Sequence, residues 1–214
     1  MSVDQQTSKS TALDTDALAN TPCGHDPYDY VIVPGFVRAA ALPAIHETYP
    51  EIDQPGSFPY QSLAYGDAFS SLLDELQGPE MRAAIEKVFD VDLTDRPTTV
   101  TVRGRCQLKD GRIHQDSTEK IITVLVYMNP DWEESGGRLR VLRSDRDLED
   151  YAAEVPPAEG TLLAFRRSDT SYHGHKPFEG QRRVLQLNWV TSDKFARRER
   201  HRHAISAFFK RLWK

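Results

Sequence analysis

The chain has 214 residues, of which 39% are hydrophobic and 28% charged, and its net charge is −5. This composition is typical of one soluble globular domain with a sizeable core, and no apolar run approaches the roughly 18 residues that a membrane span needs. The two cysteines form neither a CxxC pair nor a disulfide framework. The mainly acidic body argues against nucleic-acid binding, and the polar N-terminus lacks a secretory signal, which predicts a cytoplasmic protein.

The first half of the chain combines a polar leader with predicted helices. Residues 1–25 lack a hydrophobic period and are predicted to be a disordered leader, and residues 26–192 are predicted to form the domain. Apolar spacing and turn residues define the elements that open this domain. They are a short strand at 30–33 and helices at 37–47, 67–76 and 79–89.

From residue 98 the sequence changes to short β-branched or apolar runs separated by turn residues such as Asp110-Gly111 and Gly136-Gly137. The runs are 98–102, 121–128, 139–142, 161–165 and 183–190. Strands at this spacing predict a sandwich or jelly roll. Because helices come first and strands second, the fold class is α+β, mainly β, with the helices buttressing one sheet.

Residues 193–214 hold eight basic residues against two acidic ones. Their apolar residues recur at helical spacing, which predicts a basic amphipathic C-terminal helix. Two interpretations stay open. The helix docks on the protein's own acidic body or on the second copy in a homodimer, or it contacts an anionic membrane surface or a partner.

The most informative motif is His114-Gln115-Asp116, followed 57 residues later by His173. Residues two apart on a strand point to the same face, so His114 and Asp116 can reach one centre. His173 or His175 then supplies the third ligand. Two imidazoles and one carboxylate leave about half an octahedron open, as in non-haem Fe(II) oxygenases.

An arginine about nine residues beyond the distal histidine suits the far carboxylate of a metal-chelating oxo-acid, because a guanidinium matches a carboxylate with two donors. Strand parity places Arg182 on a polar face, together with Gln186 and Asn188, and Arg183 on the opposite face. Arg182 is therefore preferred, with Arg183 as the reserve.

These motifs resemble the 2-oxoglutarate/Fe(II)-dependent dioxygenases of the prolyl-4-hydroxylase-like group. Besides the HxD triplet, the matching segments are 122–132, 136–141, 163–165 and 173–182. The resemblance implies a double-stranded β-helix of the jelly-roll or cupin-like kind. It also implies that Fe(II) binds to His114, Asp116 and His173, because Pro177 follows His173 at the family's spacing. The co-substrates are then 2-oxoglutarate and O2, and ascorbate is a further candidate cofactor.

The resemblance also implies roles for residues around the metal. Arg182, Tyr127 and Leu139 fall at the family's 2-oxoglutarate positions. Gln107 stands where many relatives have a tyrosine. Candidate substrate contacts are His175, Arg103 and Arg105, the last two by shared strand parity with Gln107.

The retained Asp116 favours hydroxylation of a C–H bond over halide transfer, because halide-transferring relatives have a small residue at this position. The substrate is then a small molecule or a peptidyl side chain. An alternative from another class is a non-catalytic double-stranded β-helix that binds a metal or an anion as a sensor.

Overall fold

The computed structural model describes residues 11–199 and 201–202. Four helices and a 3₁₀ turn precede most of the strands. The helices are α1 (Thr15–Asn20), α2 (Leu42–Thr48), α3 (Asp67–Leu76) and α4 (Pro79–Phe89), and the 3₁₀ turn is Tyr60–Ser62. The strands are β1 (Tyr30–Val33), β2 (Phe58–Pro59), β3 (Thr98–Cys106), β4 (Lys120–Tyr127), β5 (Leu139–Leu142), β6 (Tyr151–Val155), β7 (Leu162–Arg166), β8 (His173–Gly174) and β9 (Gly180–Val190).

The strands form two antiparallel sheets, one of six strands in the order β1-β7-β4-β9-β3-β2 and one of three in the order β6-β5-β8. Strand parity divides the large sheet into two faces. On β4, Val124 and Val126 join the main core, to which the helices contribute, whereas Leu125 and Tyr127 pack between the two sheets. This is the double-stranded β-helix that was predicted, with helices buttressing one face.

The predicted disordered leader is wrong for residues 11–25. Asp14 caps α1 by accepting from Ala17 N at 3.0 Å, and Leu13 and Leu18 are buried. The carboxylate of Glu75 on α3 accepts from the backbone amides of Ala12 and Leu13 at 3.1 and 3.0 Å. These anchors are tertiary, so they leave no periodic signal in the leader itself.

Several predicted boundaries need correction. The helix predicted at 37–47 begins only at Leu42, because Val37 instead forms a β-bridge with Leu13 and donates its amide to Gly160 O at 3.0 Å. Strand β6 was not predicted, since its sequence YAAEV is poor in β-branched residues.

The structure describes only the first part of the C-terminal helix predicted over residues 193–214. Residues 193–199 and 201–202 are helical, and Phe195 and Ala196 pack with Val190. Residues 203–214, which carry most of the predicted amphipathic stripe, lie outside the described residues. Within the described part of the chain, no helix is long and apolar enough to cross a membrane.

Candidate active site

Two histidines and an aspartate lie close together next to the start of β4. His114 and His173 form an antiparallel bridge, and each backbone amide donates to the other residue's carbonyl at 3.0 Å. Asp116 lies two residues after His114, just before β4. One candidate ligand atom from each of the three residues lies within 4.8 Å of the other two. The fold thus brings together the three ligands predicted from the sequence, and His175 is not part of this cluster.

The hydrogen bonds of the two imidazoles define which nitrogen faces the centre. His114 Nδ1 lies 2.8 Å from the carbonyl oxygen of Arg112, and His173 Nδ1 lies 3.1 Å from that of Ser171. A carbonyl can only accept, so each Nδ1 carries a proton, and in the neutral tautomer Nε2 holds the lone pair that a metal can bind. Burial lowers the pKa of His173 to about 4, which keeps this ligand neutral at neutral pH. Such partners are typical of metal-binding histidines.

Asp116 supplies the carboxylate and is held on both oxygens. Lys120 Nζ lies 2.6 Å from Oδ1, and Thr123 Oγ1 donates to Oδ2 at 2.5 Å. Burial would raise the pKa of Asp116, but Lys120, His173 and the two hydrogen bonds together lower it to about 2. The group is therefore an anion with lone pairs left for a metal. Two neutral imidazoles and one carboxylate fit an open Fe(II) site.

A cavity of about 200 Å³ connects this triad with Arg182, and Leu139 forms part of its wall. Arg182 is only 5% exposed, and its Nε donates to Gly137 O at 2.8 Å. Its guanidinium lies 5.3 Å from the centre of the Tyr127 ring. Arg182 Nη2 and Tyr127 Oη are buried and have no hydrogen-bond partner among the described residues. Because buried polar groups and charges are costly without partners, Arg182 Nη2 fits an anionic ligand such as the far carboxylate of 2-oxoglutarate, whereas Tyr127 is not among the residues that line the cavity.

Two sequence motifs place Arg182 in this cavity. Asn129, in the Met-Asn turn, accepts from Arg183 N at 2.7 Å and donates to Arg183 O at 3.1 Å, which fixes the register of β9 against β4. Gly137 has φ +74°, and a Cβ there would lie 2.6 Å from the Trp132 ring. The Gly-Gly turn therefore passes close to Trp132 and aims the Gly137 carbonyl at Arg182.

Arg183 points away from the cavity, as strand parity predicts. Its guanidinium lies 5.0 Å from the centre of the Tyr49 ring, on the face that packs against the helices. Gln186 and Val184 share the face of Arg182 and line the cavity. The polar face of β9 inferred from the sequence is thus the face that meets the triad.

Two of the predicted contacts are not brought to the site. A β-bulge between Arg103 and Arg105 shifts the register of β3, and it breaks the parity on which the prediction rested. Arg103 still lines the cavity, whereas Arg105 lies beside Arg183 and Tyr49 on the other side. Gln107 comes after the end of β3, and its backbone N–H donates to Asp110 Oδ2 at 3.1 Å. It is not among the residues that line the cavity.

His175 lies in the cavity and is buried, rather than being an exposed loop residue. Its Nδ1 lies 2.8 Å from the Lys176 carbonyl oxygen, so the proton is on Nδ1. Burial and, next, the nearby Arg182 lower its pKa to about 4. Its position is compatible with the predicted contact role.

Sequence reasoning missed Lys120 and Thr123, which hold Asp116 from the start of β4. Asn188 Oδ1 lies 3.1 Å from Thr123 Oγ1 and accepts from Gln186 Nε2 at 3.1 Å. Thr123 shares strand parity with Tyr127. This parity was the signal in the sequence that could have placed Thr123 at the site.

A second cavity, of about 420 Å³, leaves the triad in another direction. It shares six lining residues with the first: Ser57, Thr101, His114, Asp116, Lys120 and Gln186. Its outer end reaches Phe195, Arg198 and Arg202 of the helix that follows β9. Two cavities therefore meet at the triad. The first ends at Arg182, and the second opens beside the helix that follows β9.

Comparison with known proteins identifies the family. Residues 105–191 match the sequence model of the 2OG-Fe(II) oxygenase superfamily. This segment, which contains the triad and Arg182, belongs to that superfamily, and the resemblance identified in the sequence is confirmed at the level of the superfamily. No curated protein sequence matches the chain.

Solved structures share the fold at low sequence identity. A prolyl-4-hydroxylase from Pseudomonas putida superposes with a TM-score of 0.55 at 18% identity, covering 83% of this chain and 92% of that one. A prolyl 4-hydroxylase from Phytophthora capsici gives 0.56 at 18%, with coverage of 88% and 69%. HygX from Streptomyces hygroscopicus with iron bound gives 0.54 at 14%, with coverage of 85% and 88%. At these identities the structural likeness supports the fold.

Proposed function

We propose that this protein is an Fe(II)- and 2-oxoglutarate-dependent dioxygenase that hydroxylates a C–H bond of its substrate and converts 2-oxoglutarate to succinate. One observation carries the proposal. The His114–Asp116–His173 triad, with two Nε2 lone pairs and an anionic carboxylate, shares a cavity with a buried arginine whose Nη2 has no partner among the described residues.

In the proposed site, His114, Asp116 and His173 hold Fe(II), and Arg182 binds the far carboxylate of 2-oxoglutarate. When bound, iron and 2-oxoglutarate supply the oxidation of the C–H bond by O2. The protein contributes a neutral His173 and an ionised Asp116, both of which bind a metal without first losing a proton. Leu125, Leu139 and Val184 line the cavity with apolar surface and limit the access of water.

The substrate of the proposed reaction is a small molecule or a peptidyl side chain. A prolyl hydroxylase from Trichoplax adhaerens was solved with a peptide fragment of a hypoxia-inducible factor, and it superposes with a TM-score of 0.50 at 15% identity. The peptide belongs to that protein.

Succinate formation tests the proposed function. We expect the purified protein to convert 2-oxoglutarate to succinate only when Fe(II) and O2 are present. His114→Ala, Asp116→Ala and His173→Ala should each abolish both Fe(II) binding and succinate formation, because each removes one of three ligands. His175→Ala is the matched control and should still bind Fe(II). If His173→Ala turned over normally, His175 would be the ligand, and Fe(II) binding without any succinate would favour a non-catalytic sensor.

A further inference from the structure

The second cavity contains a cation whose partner is one of the proposed metal ligands. Lys120 lines both cavities, and its side chain is 15% exposed and lies 2.6 Å from Asp116. From this position and the charges around it we infer that Lys120 binds an anionic group of the substrate, a carboxylate or a phosphate. This inference rests on the proposed function, since it concerns the same site loaded with iron and 2-oxoglutarate.

The other cations that line the two cavities have acidic partners outside the triad, apart from Arg182, which is assigned to the co-substrate. Arg103 pairs with Asp110 at 2.9 Å. Arg198 pairs with Glu119 at 3.3 Å, and Arg202 pairs with Glu199 at 2.8 Å. The side chains of Arg198 and Arg202 are 67% and 68% exposed, so water and salt screen their charges. Lys120 is more buried than these three arginines. Its attraction for an anion in the second cavity is therefore the least screened of the four.

Loading the site leaves one net positive charge around Lys120. The two positive charges of Fe(II) offset the two negative charges of 2-oxoglutarate, and the charge of Asp116 offsets that of Arg182. Asp116 then shares its carboxylate with the metal, which weakens its attraction for Lys120. A mostly buried ammonium without a counter-charge is costly, and a substrate anion arriving in the second cavity relieves that cost.

The wall beside Lys120 adds a second element of recognition. Thr99, Thr101, Gln186 and Asn188 line the second cavity with hydroxyl and amide groups. Asn188 donates to Thr99 Oγ1 at 3.1 Å and accepts from Gln186 Nε2. The side-chain oxygen of Gln186, Oε1, is then an acceptor for the substrate. Hydroxyl or amino groups near the oxidised carbon fit this wall. The expected substrate is therefore a polar acid and not a neutral peptide segment.

Equilibrium binding of matched probes tests the inference apart from turnover. The Ni(II)-loaded protein with 2-oxoglutarate is titrated by calorimetry with N-acetyl-L-proline and its neutral amide, and with glucose 6-phosphate and glucose. We expect at least one anionic probe to bind about tenfold more tightly than its neutral partner, the effect of one charge-assisted contact. The pair that shows the preference distinguishes a carboxylate from a phosphate.

Variants assign the preference to Lys120. Lys120→Gln should reduce it to about twofold or less, because glutamine is polar but carries no charge, and Lys120→Arg should restore part of it, because arginine keeps the charge. Lys194→Gln is the control, since Lys194 is exposed and lines neither cavity. Ni(II) binding and thermal unfolding establish that each variant is folded and loaded, and Lys120→Arg keeps the test valid if the Gln variant does not fold.

Three results would overturn the inference. They are equal binding of charged and neutral probes, a preference that survives in Lys120→Gln, and no binding of either anion up to about 100 mM, which exceeds the Kd of about 6–80 mM that one contact of about 1.5–3 kcal/mol provides. An equal loss of 2-oxoglutarate and probe binding in Lys120→Gln would instead assign Lys120 to the co-substrate, which also contradicts the inference. Failure of the proposed function differs from all of these, because it is the absence of Fe(II)-dependent succinate.

Discussion

Replacing Arg182 by Met tests the co-substrate end of the site. Methionine replaces the aliphatic part of the arginine side chain but lacks the charge and the hydrogen-bond donors of the guanidinium. The far carboxylate of 2-oxoglutarate would then lose the buried guanidinium that lines the cavity. The matched control is Arg183→Met, which alters the next residue on β9 but on the face that packs over Tyr49.

The expected loss follows from the burial of the contact. Arg182 is 5% exposed and its Nη2 is shielded from solvent, so its pairing with a carboxylate is little screened. Truncating one partner of such a buried charge pair costs about 2–5 kcal/mol. Taking about 3 kcal/mol, the Kd for 2-oxoglutarate should rise about 150-fold, since each 1.4 kcal/mol is about a factor of ten. Arg183→Met should change it by less than about threefold, because exposed or distant charges contribute little.

Calorimetric titration of 2-oxoglutarate into the Ni(II)-loaded protein measures both variants. A parallel titration with 2-oxobutyrate, which lacks the far carboxylate, completes a double-mutant cycle. The native protein should prefer 2-oxoglutarate strongly, and Arg182→Met should bind the two compounds about equally. Unchanged 2-oxoglutarate affinity in Arg182→Met, or a larger loss in Arg183→Met, would refute the assignment made from strand parity and burial.

Three further predictions concern stability. The pKa values of His173 and His175 are about 4 in the folded protein, below the usual 6.5, so the unfolded chain binds more protons between these values. The metal-free protein should therefore keep its stability above pH 6.5 and lose several kcal/mol, up to about 3 kcal/mol for each histidine, as the pH falls to 4, measured by urea unfolding; a flat profile would contradict the lowered values. Gly111→Ala should destabilise more than Gly35→Ala, because both glycines have positive φ but only at Gly111 would a Cβ meet another residue, the His175 ring at 2.3 Å. Equal unfolding midpoints for the two variants would mean that backbone strain alone acts. Leu18→Ala should cost about 2–4 kcal/mol, as for a buried leucine, and a loss below about 0.5 kcal/mol would mean that the anchoring of residues 11–25 contributes little.

Two of the three metal ligands were predictable because their pattern is local, and the choice of His173 for the third followed from the family resemblance. The spacing of His114 and Asp116 brings both to one centre, although only His114 forms a β-bridge and Asp116 precedes β4. Arg182 was separated from Arg183 by alternation along β9. Alternation along a strand is a property of the backbone, so it holds wherever the strand remains regular. The regular stretches of β4 and β9 kept it.

The errors fell where regularity ended or where contacts were distant in sequence. The bulge between Arg103 and Arg105 inverted the parity of the second arginine, and a bulge in a β-rich run has no reliable signature in one sequence. The ordering of Leu13 and Leu18 depends on partners such as Glu75, which lies more than 60 residues away. Such anchors exist only after the helices have packed.

The sequence alone determined the class of chemistry, because ligand type, spacing and alternation follow from covalent geometry. Only the tertiary structure decided which residues surround that chemistry. It placed Lys120 against Asp116, buried Arg182 without a partner for Nη2 among the described residues, and divided the space around the triad into two cavities. These features arise where two sheets and the helix after β9 meet, and the charges that select a substrate depend on that three-dimensional arrangement.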